Sequence, residues 1–244
     1  MRDQNKRLFR GKTVGRELLM DCWVSPTMRS VQVMRIPVLM FDFGNVLGFF
    51  DYSTMFHHFG LKLGLSAQQF ESMMNERGLA RLGSEFESGR LTAPEFARQV
   101  TELAGLEMSF EEFKVYWTDV FNLNEPVARL VAALKQRGYT LLLGSNTNVL
   151  HARFYRRRFE EVLAPFDHFV FSYEVGELKP APAFFKACVD LVGAPPGSCI
   201  FIDDILPNVE GARAAGLQAV HYRDTPSLIA QLRRLGVEVP DIES

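Results

Sequence analysis

Apolar residues recur along this chain in two rhythms, and the change from one to the other divides it. Short apolar runs come at residues 36–41 (IPVLMF), 139–143, 168–172, 199–202 and 218–222, each of a length that suits a buried strand. Between the later runs, residues 125–137, 148–160, 181–192, 207–215 and 226–235 carry apolar positions at helical spacing. Pro126 suits a first helical turn and Gly138 stops that helix. Strands that alternate with helices predict right-handed βαβ units, hence an α/β fold with a doubly wound parallel sheet.

Residues 53–122 break the alternation and contain helical patterns only, at 53–64, 67–77, 94–104 and 109–121. Ser66 and Ser109 are suited to N-caps, and Pro94 sits where a first turn tolerates it. This all-helical insert is predicted to form a small cap over the C-terminal edge of the sheet, with residues 34–52 and 123–244 as the core domain. The glycine-bearing stretch 75–90, with Arg77, Arg81 and Arg90, reads as a loop above the site. Residues 1–33 read as a mobile appendage, since seven Lys/Arg stand before Ser30 against three acids and no apolar secretory core is present.

Composition narrows the function classes. The chain is 47% hydrophobic and 23% charged, as in ordinary soluble domains. Its 27 basic and 29 acidic side chains nearly cancel, which gives no whole-chain reason to bind nucleic acid or an anionic membrane. No apolar stretch reaches spanning length without a charge or a helix breaker. Cys22, Cys188 and Cys199 lack metal-ligand spacing, which fits reduced thiols and a cytoplasmic location. A monomer or homodimer is expected.

In an open parallel sheet, ligands bind beyond the carboxyl ends of the strands. The residues expected there are Asp42, then Ser145 and Asn146, then Lys179, then Asp203 and Asp204. A carboxylate can attack phosphorus and form an aspartyl-phosphate. Phosphoryl group and carboxylates are all anionic, so a divalent cation is needed, and Mg²⁺ suits oxygen ligands. A lysine, a hydroxyl and the helix start after Asn146 would bind the non-bridging oxygens.

These residues resemble the four motifs of the haloacid dehalogenase-like (HAD) superfamily, over about residues 35–235. The likeness extends to a bacterial branch marked by D-x-G-N-V, S-N-T-N-x-x-H and D-D-x-x-x-N, which includes phosphatases acting on glucose 1-phosphate. It implies a C1-type cap, Asp42 as nucleophile, and Mg²⁺ held by Asp42, Asp204 and the Gly44 carbonyl. Asp203 would orient metal-bound water or Lys179, with Asn208 in support. Lys179 would neutralise the nucleophile and phosphoryl oxygens, while Ser145 and Asn146 position the phosphoryl group. The implied function is a hydrolase of small phosphorylated metabolites, with sugar phosphates as the implied substrate class.

One position departs from the pattern. Most phosphatases of the superfamily carry a second Asp two residues after the nucleophile, where this chain has Gly44. That acid protonates the leaving alcohol. Three readings follow: a phosphatase with a substitute acid, a 2-haloacid dehalogenase, or a catalytically silent phosphometabolite-binding protein. Asp51 and His151 are the candidate substitutes, although Asp51 is also well placed to cap the first insert helix.

Overall fold

The computed structural model describes residues 37–241, so the expected appendage lies outside the described residues. Seven strands are formed: β1 (Val38–Phe41), β2 (Gly48–Phe50), β3 (Phe121–Leu123), β4 (Thr140–Ser145), β5 (His168–Phe171), β6 (Cys199–Asp203) and β7 (Gln218–His221). Five of them build a parallel sheet in the order β5–β4–β1–β6–β7, with β1 central and wholly buried.

Twelve α-helices connect these strands. The insert holds α1 (Ser53–Leu61), α2 (Ala67–Glu76), α3 (Leu79–Glu87), α4 (Ala93–Ala104) and α5 (Phe110–Thr118). The remainder are α6 (Glu125–Gln136), α7 (Val149–Arg158), α8 (Glu160–Leu163), α9 (Ser172–Val175), α10 (Pro182–Val192), α11 (Leu206–Ala214) and α12 (Thr225–Arg234). Successive strand residues point to opposite faces. Leu39 and Phe41 therefore join a core with Leu130 and Leu134 of α6 and Leu228 of α12. Val38 and Met40 pack on the other face with Phe184 and Phe185 of α10 and Ala212 of α11.

Register fixes where the chemistry emerges. Phe41 lies opposite Leu143 on one side and Ile202 on the other, so three central strands end together. Asp42 follows β1 directly, and its N–H donates to the Ile202 carbonyl at 2.9 Å.

The insert is held by its own aromatic core, with Phe59, Phe70, Phe86, Phe96 and Phe113 almost fully buried. Phe86 and Phe96 stack at 4.2 Å, and Phe113 stacks on Trp117 at 5.3 Å. Ser66 with Gln69 and Thr92 with Glu95 form capping boxes, while Ser109 caps α5. The antiparallel pair β2–β3 carries the chain out to the insert and back.

The stretch expected to be a loop contains α3. Gly78, Gly83 and Gly89 suggested irregular chain, but Leu82 and Phe86, four residues apart, both turn inward and are buried. Burial of that pair outweighs the poor helix propensity of one internal glycine. The arginines of this stretch do not converge on a site: Arg77 donates to the Leu103 carbonyl at 2.7 Å and Arg81 pairs with Glu85 at 2.6 Å. Among the described residues, no helix is long and apolar enough to cross a membrane.

Candidate active site

At the carboxyl edge of the sheet, one buried ammonium organises the acidic residues. Lys179 Nζ donates to Asp42 Oδ1 at 2.9 Å, to Asp203 Oδ2 at 2.7 Å and to the Gly144 carbonyl at 3.1 Å. All three of its N–H bonds are thereby occupied. Burial opposes the lysine's charge, but Asp42 and Asp203 more than offset this and raise its pKa.

The backbone of Lys179 is fixed just as closely. Asn146 Oδ1 accepts from the Lys179 N–H at 2.8 Å, and Asn146 Nδ2 donates to the Lys179 carbonyl at 3.1 Å. The Asn146 amide is thus engaged with the lysine loop. Ser145 is buried at the end of β4, its Oγ 3.3 Å from the Asn146 carbonyl.

Asp203 is anchored on both oxygens. Besides the lysine, it accepts from the Ile205 N–H at 2.9 Å and from Asn208 Nδ2 at 3.0 Å. Asp42 Oδ1 accepts from the Phe43 N–H at 2.7 Å as well as from Lys179. Asp204 Oδ2 accepts from Asn45 Nδ2 at 3.1 Å. Among the described residues, Asp42 Oδ2, Asp204 Oδ1 and the Gly44 carbonyl have no such hydrogen-bond partner.

Carboxyl oxygens of Asp42, Asp203 and Asp204 lie within 4.8 Å of one another. Three carboxylates share one ammonium, so the cluster carries excess negative charge in a poorly solvated place. Burial raises the pKa of Asp42, with Asp203 and Asp204 adding to the effect while Lys179 opposes it. Burial likewise raises that of Asp204, Asn45 opposes it and Asp203 reinforces it. An all-oxygen donor set with unpartnered carboxylate oxygens fits a hard divalent cation such as Mg²⁺.

Gly44 has its own packing constraint. A Cβ there would lie 2.5 Å from the Phe50 ring, which packs against Tyr52 at 5.7 Å and Phe121 at 5.2 Å. The space for a side chain at this position is filled by an aromatic ring. Next to it, Asn45 adopts φ 52°, a left-handed conformation that Asn tolerates better than most residues.

Neither candidate substitute acid is placed for that role. Asp51 is exposed, and its Oδ1 accepts from the Ser53 N–H at 2.9 Å. Hydrogen bonds from Ser53 lower its pKa, which keeps it ionised. His151 is buried with both ring nitrogens engaged: Nε2 lies 3.0 Å from the Trp117 carbonyl and Nδ1 lies 3.1 Å from Asn148 Nδ2. Burial lowers its pKa to about 4, with the Trp117 carbonyl opposing, so the ring is neutral and ties α7 to α5.

Sequence reasoning missed three participants. Asn45 reaches across to Asp204, as described. Ser172 Oγ accepts from the Thr147 N–H at 2.9 Å and lies 2.6 Å from the Glu87 carbonyl and 3.0 Å from the Thr147 carbonyl. Glu87, at the end of α3, lines a cavity of about 260 Å³ between the insert and the start of α7. Only the position of Ser172 at the end of a predicted strand was a readable signal.

Comparison with known proteins agrees with this geometry. The family model described as "haloacid dehalogenase-like hydrolase" matches residues 41–216. The D-ribitol-5-phosphate phosphatase of Bacteroides thetaiotaomicron is 29% identical over 186 residues, covering 74% of this chain and 88% of that protein. The bifunctional epoxide hydrolase 2 of Rattus norvegicus is 30% identical over 125 residues, 49% of this chain but only 22% of that protein. A crystal structure of a HAD family enzyme from Bacteroides thetaiotaomicron, in complex with magnesium and inorganic phosphate, superposes with a TM-score of 0.64. It is 27% identical, covering 77% of this chain and 94% of that one. With the strand-edge residues in this arrangement and the family model spanning most of the described sheet, the chain belongs to the haloacid dehalogenase-like hydrolases.

Proposed function

We propose that this hydrolase is a Mg²⁺-dependent phosphatase of a small phosphorylated metabolite, a sugar phosphate, working through an aspartyl-phosphate on Asp42. The observation that carries this reading is the buried cluster in which Lys179 bridges Asp42 and Asp203 while Asp42 Oδ2 and part of Asp204 stay unpartnered. A halide-displacing site has no use for a third carboxylate beside the nucleophile. The sugar-phosphate class is supported by the name of the Bacteroides thetaiotaomicron relative. Helices α1–α5 serve as the cap, and buried free Cys188 and Cys199 suit a reducing cytoplasm.

Asp42 Oδ2 attacks phosphorus while Asp42 Oδ1 stays held by Lys179 and the Phe43 N–H. Lys179 remains positively charged and offsets negative charge at the phosphoryl group. Asn146 holds the lysine loop, and Asn208 holds Asp203. Mg²⁺, held by Asp42, Asp204 and the Gly44 carbonyl, would supply the remaining neutralisation of phosphoryl charge.

A screen of sugar and aryl phosphates with Mg²⁺ or EDTA tests the reading, with 2-haloacids as the competing substrates. Mg²⁺-dependent phosphate release that is lost on EDTA treatment is expected. Chloride release from a 2-haloacid without phosphate release would overturn it.

A further inference from the structure

A phosphoryl transfer that expels an aliphatic alcohol must deliver a proton to the departing oxygen, because a bare alkoxide is too basic to leave readily. Position 44 offers no side chain and has no room for one, and Asp51 and His151 are both engaged elsewhere. The proton must come from another group facing the substrate.

We propose that Glu87 is the general acid and base of the reaction, acting from the cap on a leaving group seated in the cavity it lines. The proposal rests on the phosphatase reading above. Glu87 shares this cavity with Tyr52, Trp117, Asn148 and His151. Among the described residues its carboxyl makes no hydrogen bond or salt bridge, although it lies close enough to Lys179 to feel that charge. The same wall contains Trp117, whose Nε1–H is buried without an acceptor among the described residues. An unpartnered carboxyl lining a cavity suits an alcohol whose departing oxygen needs a proton.

The backbone beneath Glu87 is rigidly placed. Its carbonyl lies 2.6 Å from Ser172 Oγ, just beyond β5. Two residues later, Gly89 adopts φ +70°, and a Cβ there would lie 2.3 Å from the Tyr173 carbonyl oxygen. The tip of α3 therefore sits in direct contact with the core, on the segment that leads into Lys179.

The protonation state is suitable. Burial pushes the Glu87 carboxyl up to about 7, and Lys179 draws it back only in part. The other titratable groups facing this region are Tyr52, whose pKa is raised by burial, and neutral His151; Tyr173 and Glu174 on α9 bond to each other. Near neutral pH such a carboxyl can give a proton and take one back.

The two steps balance. Asp42 forms a bond to phosphorus, the phosphorus–oxygen bond to the alcohol breaks, and its electron pair takes the Glu87 proton to release the alcohol. The Glu87 carboxylate then takes a proton from water, whose oxygen attacks phosphorus. The bond to Asp42 breaks with its electron pair returning to the carboxylate, leaving inorganic phosphate and a protonated Glu87.

The test compares kcat/KM for a sugar phosphate and for p-nitrophenyl phosphate, in wild type, Glu87→Gln and Glu87→Asp. Nitrophenolate leaves without a proton, so Glu87→Gln should lose about 10²–10⁴-fold on the sugar phosphate and only a few-fold on the aryl ester. The basic limb of the wild-type sugar-phosphate pH profile, near pH 7, should vanish in Glu87→Gln and return in part in Glu87→Asp. Equal losses on both substrates, or an unchanged basic limb in Glu87→Gln, would overturn the role of Glu87 alone. Wild type that hydrolyses neither ester with Mg²⁺ would instead overturn the phosphatase reading together with it.

Discussion

The two walls of this site are built on opposite terms. On the sheet edge, Lys179 uses all three protons, Asp203 uses both oxygens, and Asn146 and Asn208 lock the loops that carry them. On the insert side, Glu87 and the buried Trp117 indole N–H have no partner among the described residues. Groups bonded in this way are preorganised and need no substrate to hold their geometry. An unbonded wall is completed only by what enters. On the phosphatase reading proposed above, the difference separates the wall that carries the phosphorus chemistry from the wall that meets the leaving group.

Mutations can break that contrast, and the largest expected effect lies on the bonded wall. Asp42→Asn should lower phosphatase turnover by on the order of 10⁴-fold, because the amide is a poor nucleophile. Steady-state assay of the purified variant, with its fold checked by circular dichroism, measures this. Residual activity within tenfold of wild type would mean the bonded wall is not the reacting one.

Lys179→Met should be the most damaging change to stability. It leaves Asp42 and Asp203 buried without their cation, a loss of about 3–5 kcal/mol and roughly 10 °C in Tm for a domain of this size. Thermal unfolding in EDTA reads this directly. An equivalent change on the open wall, Glu87→Gln, should leave Tm nearly unchanged.

A smaller effect is expected at Gly44. Gly44→Asp forces the Phe50 ring out of its contacts with Tyr52 and Phe121, costing about 1–3 kcal/mol. Adding Phe50→Ala should recover part of that loss in urea unfolding. If Gly44→Asp alone is neutral, the aromatic filling is not what excludes a side chain there.

The smallest effect concerns the tie between the walls. His151 is held near pKa 4 in the fold against an ordinary value of 6.5, so the unfolded chain binds the proton first as pH falls. Its contribution is complete above about pH 6.5 and is lost progressively below, amounting to about 1 kcal/mol at pH 5.5. Urea midpoints at pH 7 and 5.5 should converge more in His151→Gln than in wild type. An identical pH dependence in both would show that another group sets it.

The sheet was legible in the sequence because its strands are short apolar runs that end in Asp42, Asp203 and the small residues of the Ser145 loop. A charged residue at the end of such a run has little reason to be there unless it meets a partner. What could not be read depends on chain segments far apart in sequence. The approach of Phe50 to Gly44 needs the β2–β3 pair, and the contact of α3 with Ser172 joins residues 85 positions apart. Glycines at 78, 83 and 89 concealed α3, whose stability comes from burying Leu82 and Phe86 in the aromatic core of the insert. His151 and Asp51 drew notice as titratable side chains, but local hydrogen bonds had already committed them.

Ser172 carries a consequence of its own. Its hydroxyl has a single hydrogen and two carbonyl claimants, Glu87 on the insert and Thr147 in the loop after β4. One hydrogen cannot serve both carbonyls fully, so the hydroxyl couples the tip of α3 to the loop after β4. Lifting the α3 tip would release that hydrogen to Thr147, and docking would withdraw it. The exchange would be worth about one hydrogen bond, roughly 1 kcal/mol. Ser172→Ala would cut that wire while leaving both ends standing.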